Sequence, residues 1–325
     1  VTLWFAGRDV ERLSREGWDG GTVSVPAQGF QSRSPLAVVK AGYSLLRAIA
    51  VSTRLMQTAR PDVFLGMGSY ATVGPALAAR RLRVPVVLHE ANAVPGRTVV
   101  LLSRFARVVA LGFEDAADAL PRAEMTFTGY PVRAELREKA GAARRCGDVF
   151  TVLAMGGSQG AHRVNELAAE ALCELKRRGS GVRVVHLAGR ADAAAVRAGY
   201  AEAGVEAEVH EFLADVSRAY AAADLAICRS GAGTCAELAL FGVPALFVPL
   251  PSARRDHQTR NAEAFARVGA AEILRQDRLT AEGLSEYIDT MRRDGARRNA
   301  MAAAMRSADV PDADVQLANL IEETA

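Results

Sequence analysis

The sequence has 325 residues, of which 50% are hydrophobic and 24% are charged, and this length is sufficient for two domains with separate cores. Its 40 basic and 37 acidic residues give a net charge of only +3, without a basic stripe, which argues against nucleic acid as a partner. The four cysteines form no CxxC pair, which favours reduced thiols over a disulfide framework or a metal site.

The first half of the chain contains short apolar runs that we predict to be strands. The chain opens at Val1 on VTLWFAGR, which has the character of an internal strand, so we expect the element before it to be absent. Residues 38–56 form an apolar segment, but Arg47 and Arg54 interrupt it, so it should not span a bilayer. The next predicted strands are PDVFLGMG, VPVVLHE and ARVVALGF. TFTGYPVR then leads out of the domain, and Pro131 marks the crossover near residues 130–147.

The second half continues the alternation of strands with Ala-, Leu- and Arg-rich helical segments. Its predicted strands are FTVLAMGG, VRVVHLAG, AEVHEF, LAICRSG and PALFVPL. Continuous apolar strands separated by helices predict parallel sheets covered on both faces. The fold class is therefore α/β with two tandem Rossmann-like domains, residues 1–134 and 135–311, and with ligands at the carboxyl ends of the strands. Pro311 breaks the helical region, and we expect a last helix in residues 312–325 to pack on the first domain.

A glycine-rich turn follows the first strand of the second domain, in FTVLAMGGSQGAHRVNEL. Glycines allow the backbone to approach an anion closely, and the helix that follows offers free N–H groups and a partial positive charge. The hydroxyl of Ser158 can add a donor to a phosphate. Because many such turns serve only for tight packing, this turn alone does not decide between the two roles.

A second turn, LAICRSGAGTCAEL, ends a later strand at residues 229–234. A helix predicted to begin near Thr234 puts Glu237 in its first turn, facing the same crevice. A carboxylate can accept hydrogen bonds from two neighbouring hydroxyls, which suits a ribose 2′,3′-diol. The alternative is that Glu237 only complements the helix dipole. Two such turns in one domain favour a nucleotide.

Two further polar clusters follow strand ends. In PSARRDHQTRNAEAF, the amides of Gln258 and Asn261 lie one helical turn apart and can contact several sugar hydroxyls together, although Asp256 could simply cap the helix. In the first domain, LHEANAVPG brings His89 and its polar neighbours to a strand terminus. This histidine could act as a base near neutral pH or be a hydrogen-bonded structural residue.

Taken together, these segments resemble the MurG family, the N-acetylglucosaminyltransferases of peptidoglycan synthesis. The shared stretches occur in the family's order and at close to its spacing over nearly the whole chain. They are PDVFLGMGSYATVGP, VPVVLHEANAVPG, TGYPVR, GGSQGAHRVN, CRSGAGTCAEL, GVPALFVPL and DHQTRNA. The resemblance implies the GT-B architecture, in which two Rossmann-like domains face each other across a cleft.

The resemblance also implies the roles of individual residues. In the donor site, Glu237 would hold the ribose hydroxyls, Leu213 would meet the uracil through its backbone, and Gln258 and Asn261 would contact the sugar. Ser158 and Arg133 would contact the diphosphate. The backbone that lines the nucleotide would comprise Ala232, Gly233, Thr234, Cys235, Ala236 and Glu237. The acceptor would lie near Tyr70, His89, Glu90 and Asn92.

The implied reaction is an inverting transfer of N-acetylglucosamine from UDP-N-acetylglucosamine to the 4-hydroxyl of the muramoyl sugar of undecaprenyl-linked lipid I, forming lipid II. A base removes the hydroxyl proton while donors stabilise the departing diphosphate, and the family uses neither a cofactor nor an Asp-x-Asp metal site. The family's first glycine loop, GGTGGH, belongs before VTLWFAGR and is missing, together with its strand, its helix and the histidine favoured as the base. Within this sequence His89 is the candidate base, and Ala91 replaces a glutamine common in the family.

In the family, the segment 34–60 belongs to a patch that docks on the cytoplasmic face of the membrane. Here it mixes apolar side chains with Lys40, Arg47 and Arg54, a composition that suits an anionic bilayer surface. We therefore expect a cytoplasmic, peripherally membrane-bound transferase. Two alternatives remain open from the sequence: a related transferase with another acceptor, and a catalytically silent sugar-nucleotide-binding protein that lacks its first loop.

Overall fold

The computed structural model describes residues 1–5, 18–25, 34–142, 149–156 and 161–325. The chain divides into two compact units. The first comprises Val1–Ala91, Pro95–Gly129 and Asp314–Ala325, and the second comprises Asn92–Val94 and Tyr130–Ala313.

The first unit contains two parallel sheets. A two-stranded sheet pairs β1 (Thr2–Phe5) with β2 (Gly21–Ser24), and a four-stranded sheet has the order β3-β4-β5-β6. The strands of the larger sheet are β3 (Phe64–Gly66), β4 (Val86–Glu90), β5 (Val108–Leu111) and β6 (Met125–Phe127). The helices before and between them are α1 (Pro35–Ala59), α2 (Val73–Arg81) and α3 (Arg97–Leu102), with 3-10 turns at Tyr70–Thr72 and Glu114–Ala119.

The long helix α1 buries one face against α2. Ala41, Ala48 and Met56 on that face are no more than 6% exposed. Gly74 of α2 permits this packing, because a Cβ atom at that position would lie 2.7 Å from the Cβ of Ala48. On other sides of α1, Val39, Tyr43 and Leu46 are 68–71% exposed, so this helix carries apolar side chains into solvent.

The second unit is built on one six-stranded parallel sheet with the order β12-β11-β10-β7-β8-β9. Its strands are β7 (Thr151–Met155), β8 (Arg183–Leu187), β9 (Glu206–His210), β10 (Leu225–Cys228), β11 (Ala245–Phe247) and β12 (Ala271–Ile273). Its helices are α4 (Ala134–Ala142), α5 (His162–Arg177), α6 (Gly189–Ala203), α7 (Ser217–Ala222), α8 (Ala232–Phe241), α9 (His257–Arg267), α10 (Ala281–Arg293) and α11 (Gly295–Ser307), and α12 (Ala313–Thr324) ends the chain. Short 3-10 turns lie at Arg254–Asp256 and Gln276–Arg278.

The core of this sheet explains the apolar runs of the sequence. Every residue of β7 and β10 is buried, since helices cover these central strands on both faces. Strand order reverses between β7 and β10: the chain proceeds to β8 and β9 on one side and to β11 and β12 on the other. Ligands of open parallel sheets bind at such a switch point, outside the carboxyl ends of the strands.

The predicted fold class is confirmed, because both units are α/β and all strand pairs in the described residues are parallel. Each strand predicted from the sequence is present. The sequence analysis missed β2, β6 and β12, which have three or four residues each and are largely half-buried or exposed, so they lack a continuous apolar run. Within the described parts of the chain, no helix combines the length and apolar character needed to cross a membrane.

Candidate active site

Two chain segments follow the strands at the switch point of the second unit. The segment after β7 contains Ser158, which lies outside the described residues, as do its neighbours in residues 157–160. The turn after β10 runs from Arg229 to Gly231 and leads directly into α8. Both segments follow the neighbouring strands at which the order reverses, which is the position where open parallel sheets generally bind ligands.

The amino-terminal turn of α8 is suited to an anion. Gly231 caps the helix in an extended conformation, no side chain caps it, and its first turn contains no acidic residue. The first helical hydrogen bond is donated by the Cys235 amide to the Gly231 carbonyl. The amides of Ala232, Gly233 and Thr234 therefore have no acceptor within the helix, and the helix dipole adds a partial positive charge.

The helix begins two residues earlier than the sequence predicted, which moves Glu237 from the first turn into the second. The prediction near Thr234 was wrong because the Gly231 backbone serves as the cap, so Ala232 is already helical. In the second turn Glu237 gains little from the helix dipole, which acts mainly within the first turn. The alternative that Glu237 only complements the helix dipole is therefore less favoured.

The Glu237 side chain is held by a tyrosine. The Tyr220 hydroxyl donates a hydrogen bond of 2.7 Å to Oε2 of Glu237. Burial raises the pKa of the Glu237 carboxyl, while this hydrogen bond and the charge of Arg133 act in the opposite direction. Burial also raises the pKa of Tyr130, and the charge of Glu237 raises it further. A half-buried carboxylate thus lies beside Arg133 and two phenols.

Tyr130 also lies against the start of α8. A Cβ atom at Gly233 would lie 3.2 Å from the Tyr130 hydroxyl, so a side chain at 233 would crowd this ring. The glycine therefore lets the segment that enters the second unit approach the helix backbone closely. Arg133 follows in the same segment, three residues before Leu136, which is buried in the core.

The loop after β9 leads to Tyr220. Leu213 is half-buried in this loop. Asp215 then anchors α7: its Oδ1 accepts hydrogen bonds from the amide and hydroxyl of Ser217, at 3.1 and 2.5 Å, and its Oδ2 pairs with Lys139 at 2.8 Å. These hydrogen bonds hold the pKa of Asp215 down, at about 2. Leu213 and Tyr220 are thus joined by a short, well-anchored segment.

Gln258 and Asn261, the two amides predicted to contact the sugar, differ in their surroundings. Gln258 is half-buried, and its Oε1 accepts a hydrogen bond of 2.9 Å from the Leu250 amide. Its NH₂ group therefore points away from that amide and can donate elsewhere. Arg229 fixes the same loop by donating to the carbonyls of Val248 and Pro249, at 2.9 and 3.0 Å.

Asn261 is fully buried and bonds to the protein on both sides of its amide. Its Oδ1 accepts from the Ala93 amide at 2.8 Å, and its Nδ2 donates to the Ser230 carbonyl at 3.0 Å and to Oδ1 of Asn92 at 3.1 Å. Both N–H donors of this amide are therefore used within the second unit. In this conformation Asn261 organises the turn at Ser230 and offers no donor to a ligand.

The other residues predicted on the acceptor side lie in the first unit. His89 is 1% exposed, its Nε2 lies 3.2 Å from the Gly129 carbonyl, and burial lowers its pKa. Glu90 is 4% exposed, and its Oε2 accepts a hydrogen bond of 2.8 Å from the Gly96 amide. Tyr70 is 38% exposed. His89 and Glu90 are therefore built into the unit, whereas Tyr70 reaches solvent.

The sequence analysis did not identify Tyr220, Tyr130 or Asp215. Tyr220 lies in an alanine-rich segment without glycine or proline, so only the three-dimensional structure associates it with Glu237. Tyr130 had a usable signal, since it lies between Gly129 and Pro131 in a segment already identified as the crossover. Among the described residues, no three His, Cys, Asp or Glu side chains cluster as a metal site would require.

Two family models match the chain. The glycosyltransferase family 28 C-terminal domain matches residues 151–317, and the glycosyltransferase family 28 N-terminal domain matches residues 16–111. The first match contains both turns at the switch point together with Tyr220, Glu237 and Gln258.

Curated relatives are identical to this chain at more than one third of the aligned positions. One from Myxococcus xanthus, named UDP-N-acetylglucosamine--N-acetylmuramyl-(pentapeptide) pyrophosphoryl-undecaprenol N-acetylglucosamine transferase, is 36% identical over 91% of this chain and 77% of its own length. A relative of the same name from Syntrophotalea carbinolica is 38% identical over 93% of this chain and 83% of its own length. The crystal structure of Acinetobacter baumannii MurG superposes with a TM-score of 0.79 at 32% identity, covering 99% of this chain and 90% of that one.

Proposed function

The chain belongs to the MurG group of glycosyltransferase family 28, and on this premise we propose that it transfers N-acetylglucosamine from UDP-N-acetylglucosamine to lipid I. This membership confirms the resemblance found in the sequence. The relatives' name specifies both substrates: a UDP-linked donor and an N-acetylmuramyl-pentapeptide acceptor on pyrophosphoryl-undecaprenol. In the proposed reaction the 4-hydroxyl of the muramoyl sugar attacks the anomeric carbon with inversion, which gives lipid II and UDP.

The observation that carries the donor assignment is the hydrogen-bonded Glu237 carboxylate beside the uncapped start of α8. The diphosphate would lie against the free amides of Ala232, Gly233 and Thr234, because these amides and the helix dipole stabilise negative charge. The same donors would stabilise the departing UDP, whose charge grows as the glycosidic bond breaks. Ser158 and Arg133 would complete this site, as the family pattern implies.

Nucleoside and sugar contacts follow from the same arrangement. Glu237 would accept hydrogen bonds from the ribose hydroxyls, and the backbone at Leu213 would meet the uracil. The NH₂ group of Gln258 would donate to an oxygen of the sugar, since its Oε1 is already occupied by the Leu250 amide. Asn261 would act indirectly, by holding the turn at Ser230.

The acceptor would approach the first unit near Tyr70. His89 is buried against the Gly129 carbonyl, and a base must reach the hydroxyl proton that it removes. We therefore assign to His89 the support of the turn at Gly129, where the chain leaves the first unit. Glu90 likewise holds the start of α3 through the Gly96 amide.

A calorimetric titration with UDP-N-acetylglucosamine tests the donor assignment. Glu237→Ala should weaken binding by at least 100-fold, since hydrogen bonds to a charged group are worth about 1.5–3 kcal/mol each and the carboxylate would make two. Glu286→Ala removes an exposed carboxylate of α10 and serves as the matched control, with unchanged affinity. Equal affinities for the wild type and Glu237→Ala would remove Glu237 from the site.

We also propose that α1 docks the protein on the anionic cytoplasmic surface of the membrane. Lipid I, the proposed acceptor of the enzyme, is a membrane lipid. Val39, Tyr43 and Leu46 follow one another at helical spacing and are 68–71% exposed. Lys40 and Arg47 are exposed beside them. Apolar side chains with adjacent cations match the requirements of an interface-bound helix.

Sedimentation with vesicles that contain anionic phospholipid tests this docking. In the double variant Tyr43→Glu with Leu46→Glu, the fraction of protein bound to vesicles should fall strongly. The two substitutions remove apolar surface, and the anionic headgroups repel the new carboxylates. Val315→Glu changes a 50% exposed apolar residue of α12 and is the control. Retained binding in the double variant would exclude α1 as the docking helix.

A further inference from the structure

Tyr220 occupies an unusual position for a phenol. It is 1% exposed in the second unit, yet its hydroxyl faces the half-buried Glu237 carboxylate at 2.7 Å. The centroid of its ring lies 5.3 Å from that of the Phe241 ring, so the two rings pack against each other. The hydroxyl also lies 3.8 Å from the Met155 sulfur, which is a weak acceptor. The hydroxyl is thus committed to Glu237.

The segment that carries Tyr220 is fixed at its start. Asp215 accepts two hydrogen bonds from Ser217 and pairs with Lys139 of α4, so the six-residue helix α7 cannot shift without breaking them. Leu213, the proposed uracil contact, lies just before this anchor. The segment 213–220 therefore connects two groups near the proposed nucleoside. Leu213 is the proposed contact of the uracil, and Tyr220 bonds to Glu237, the proposed contact of the ribose.

We propose that Tyr220 is a positioning residue for ribose recognition: its hydroxyl fixes the Glu237 carboxylate in the orientation that accepts hydrogen bonds from the 2′- and 3′-hydroxyls. The inference rests on the proposed function, in which Glu237 binds the ribose of a UDP-sugar. A carboxylate at the end of a glutamate side chain has several rotamers, and fixing one of them lowers the entropy lost on binding. The bond to Oε2 also leaves Oε1 and the remaining lone pair of Oε2 for the diol.

The test separates this role from a purely structural one. Tyr220→Phe removes only the hydroxyl and keeps the ring that packs near Phe241, so the fold should survive. Affinity for UDP-N-acetylglucosamine should fall by up to roughly tenfold, because the Glu237 side chain is then ordered only when the ligand binds. Affinity for the 2′-deoxy analogue of the donor should fall much less, because that ligand depends less on the oriented carboxylate. The preference for ribose over 2′-deoxyribose therefore decreases.

Tyr200→Phe is the matched control. Tyr200 is likewise 1% exposed in the second unit, but its hydroxyl contacts Nδ1 of His186 instead of a carboxylate. This variant loses the same atom from the same kind of environment, and it should keep the wild-type affinity and the wild-type preference for ribose. Circular dichroism and a thermal melt on both variants check that each is folded.

The pH profile of donor binding gives a second readout. The groups that face Glu237 are Tyr220, Arg133 and Tyr130, and the hydrogen bond from Tyr220 lowers the pKa of the carboxyl. Without it, Glu237 takes up a proton at higher pH, so the acid limb of the binding profile moves to higher pH in Tyr220→Phe and stays in place in Tyr200→Phe. This measurement does not depend on the deoxy analogue.

The outcomes also separate this inference from the proposed function. A wild-type protein that binds no UDP-N-acetylglucosamine overturns the proposed function itself. If the wild type binds and prefers ribose, but Tyr220→Phe has the same affinity, preference and pH profile, only the role of Tyr220 is overturned. An equal loss of affinity for the ribose and deoxyribose donors, without a change in the pH profile, also contradicts positioning, because it indicates general damage to the site.

Discussion

We predict that His186 makes the stability of the second unit sensitive to mild acid. It lies on β8 with no exposed surface, with Nδ1 2.9 Å from the Tyr200 hydroxyl and Nε2 3.2 Å from Oδ1 of Asn165. Burial lowers its pKa from 6.5 to about 4. Asn165 lies in the first turn of α5, so this buried network ties that helix to β8.

The sign and size of the effect follow from the two pKa values. Because the folded pKa lies below the unfolded one, the unfolded chain binds the proton first as the pH falls below 6.5. The contribution of His186 is complete above pH 6.5 and is lost progressively down to about pH 4. At about 1.4 kcal/mol per pH unit, the free energy of unfolding should fall by about 2 kcal/mol between pH 6.5 and pH 5 through this residue alone.

Urea unfolding at pH 7, 6 and 5 measures this loss. His186→Gln keeps a donor and an acceptor but cannot titrate, so the difference between wild type and variant should shrink by about 2 kcal/mol from pH 7 to pH 5. Val185→Ala, at a buried position of the same strand, removes no titrating group; it is the control and should keep the wild-type slope. If His186→Gln also keeps the full wild-type slope, the neutral buried imidazole is not the source of the acid sensitivity.

Substitutions at three further sites test contacts within the second unit. Asn261→Ala leaves the Ala93 amide without its acceptor and should lower the unfolding free energy by about 2–4 kcal/mol in urea titrations; an unchanged midpoint would contradict the buried network. Arg229→Met leaves two carbonyls without a donor and should cost about 2–3 kcal/mol and weaken donor binding, whereas wild-type affinity would show that the loop before α9 needs no such anchor. Arg137→Ala removes the partner of the largely buried Asp309 and should lower the thermal midpoint by several degrees, a shift that Asp309→Asn should share if the ion pair is responsible.

Sequence reasoning worked where a physical rule is local. Apolar runs predicted β7 and β10 because central parallel strands must be apolar on both faces. Glycine-rich segments after strands predicted ligand contacts at the carboxyl ends of the strands, since a backbone that approaches a ligand or a helix closely excludes side chains. These rules need only residue types and spacing along the chain.

It could not identify contacts between partners distant in sequence. Nothing near Asn261 indicates that its Oδ1 accepts a hydrogen bond from the amide of Ala93, 168 residues earlier, so the sequence could not predict this buried bridge. His89 in the same way lies against the carbonyl of Gly129, 40 residues later. Tyr220 belongs to no recognisable motif, and its hydrogen bond to Glu237 forms only because α7 packs beside α8.

Transfer of radiolabelled N-acetylglucosamine from UDP-N-acetylglucosamine tests the central claim most directly, with lipid I and a plain undecaprenyl lipid offered as parallel acceptors. The account predicts label in a lipid II product from lipid I, none in the plain lipid, and loss of the product in Glu237→Ala but not in Glu286→Ala. Donor binding without transfer to lipid I would instead support a silent sugar-nucleotide-binding protein. Label appearing only in the plain lipid would contradict the proposed acceptor.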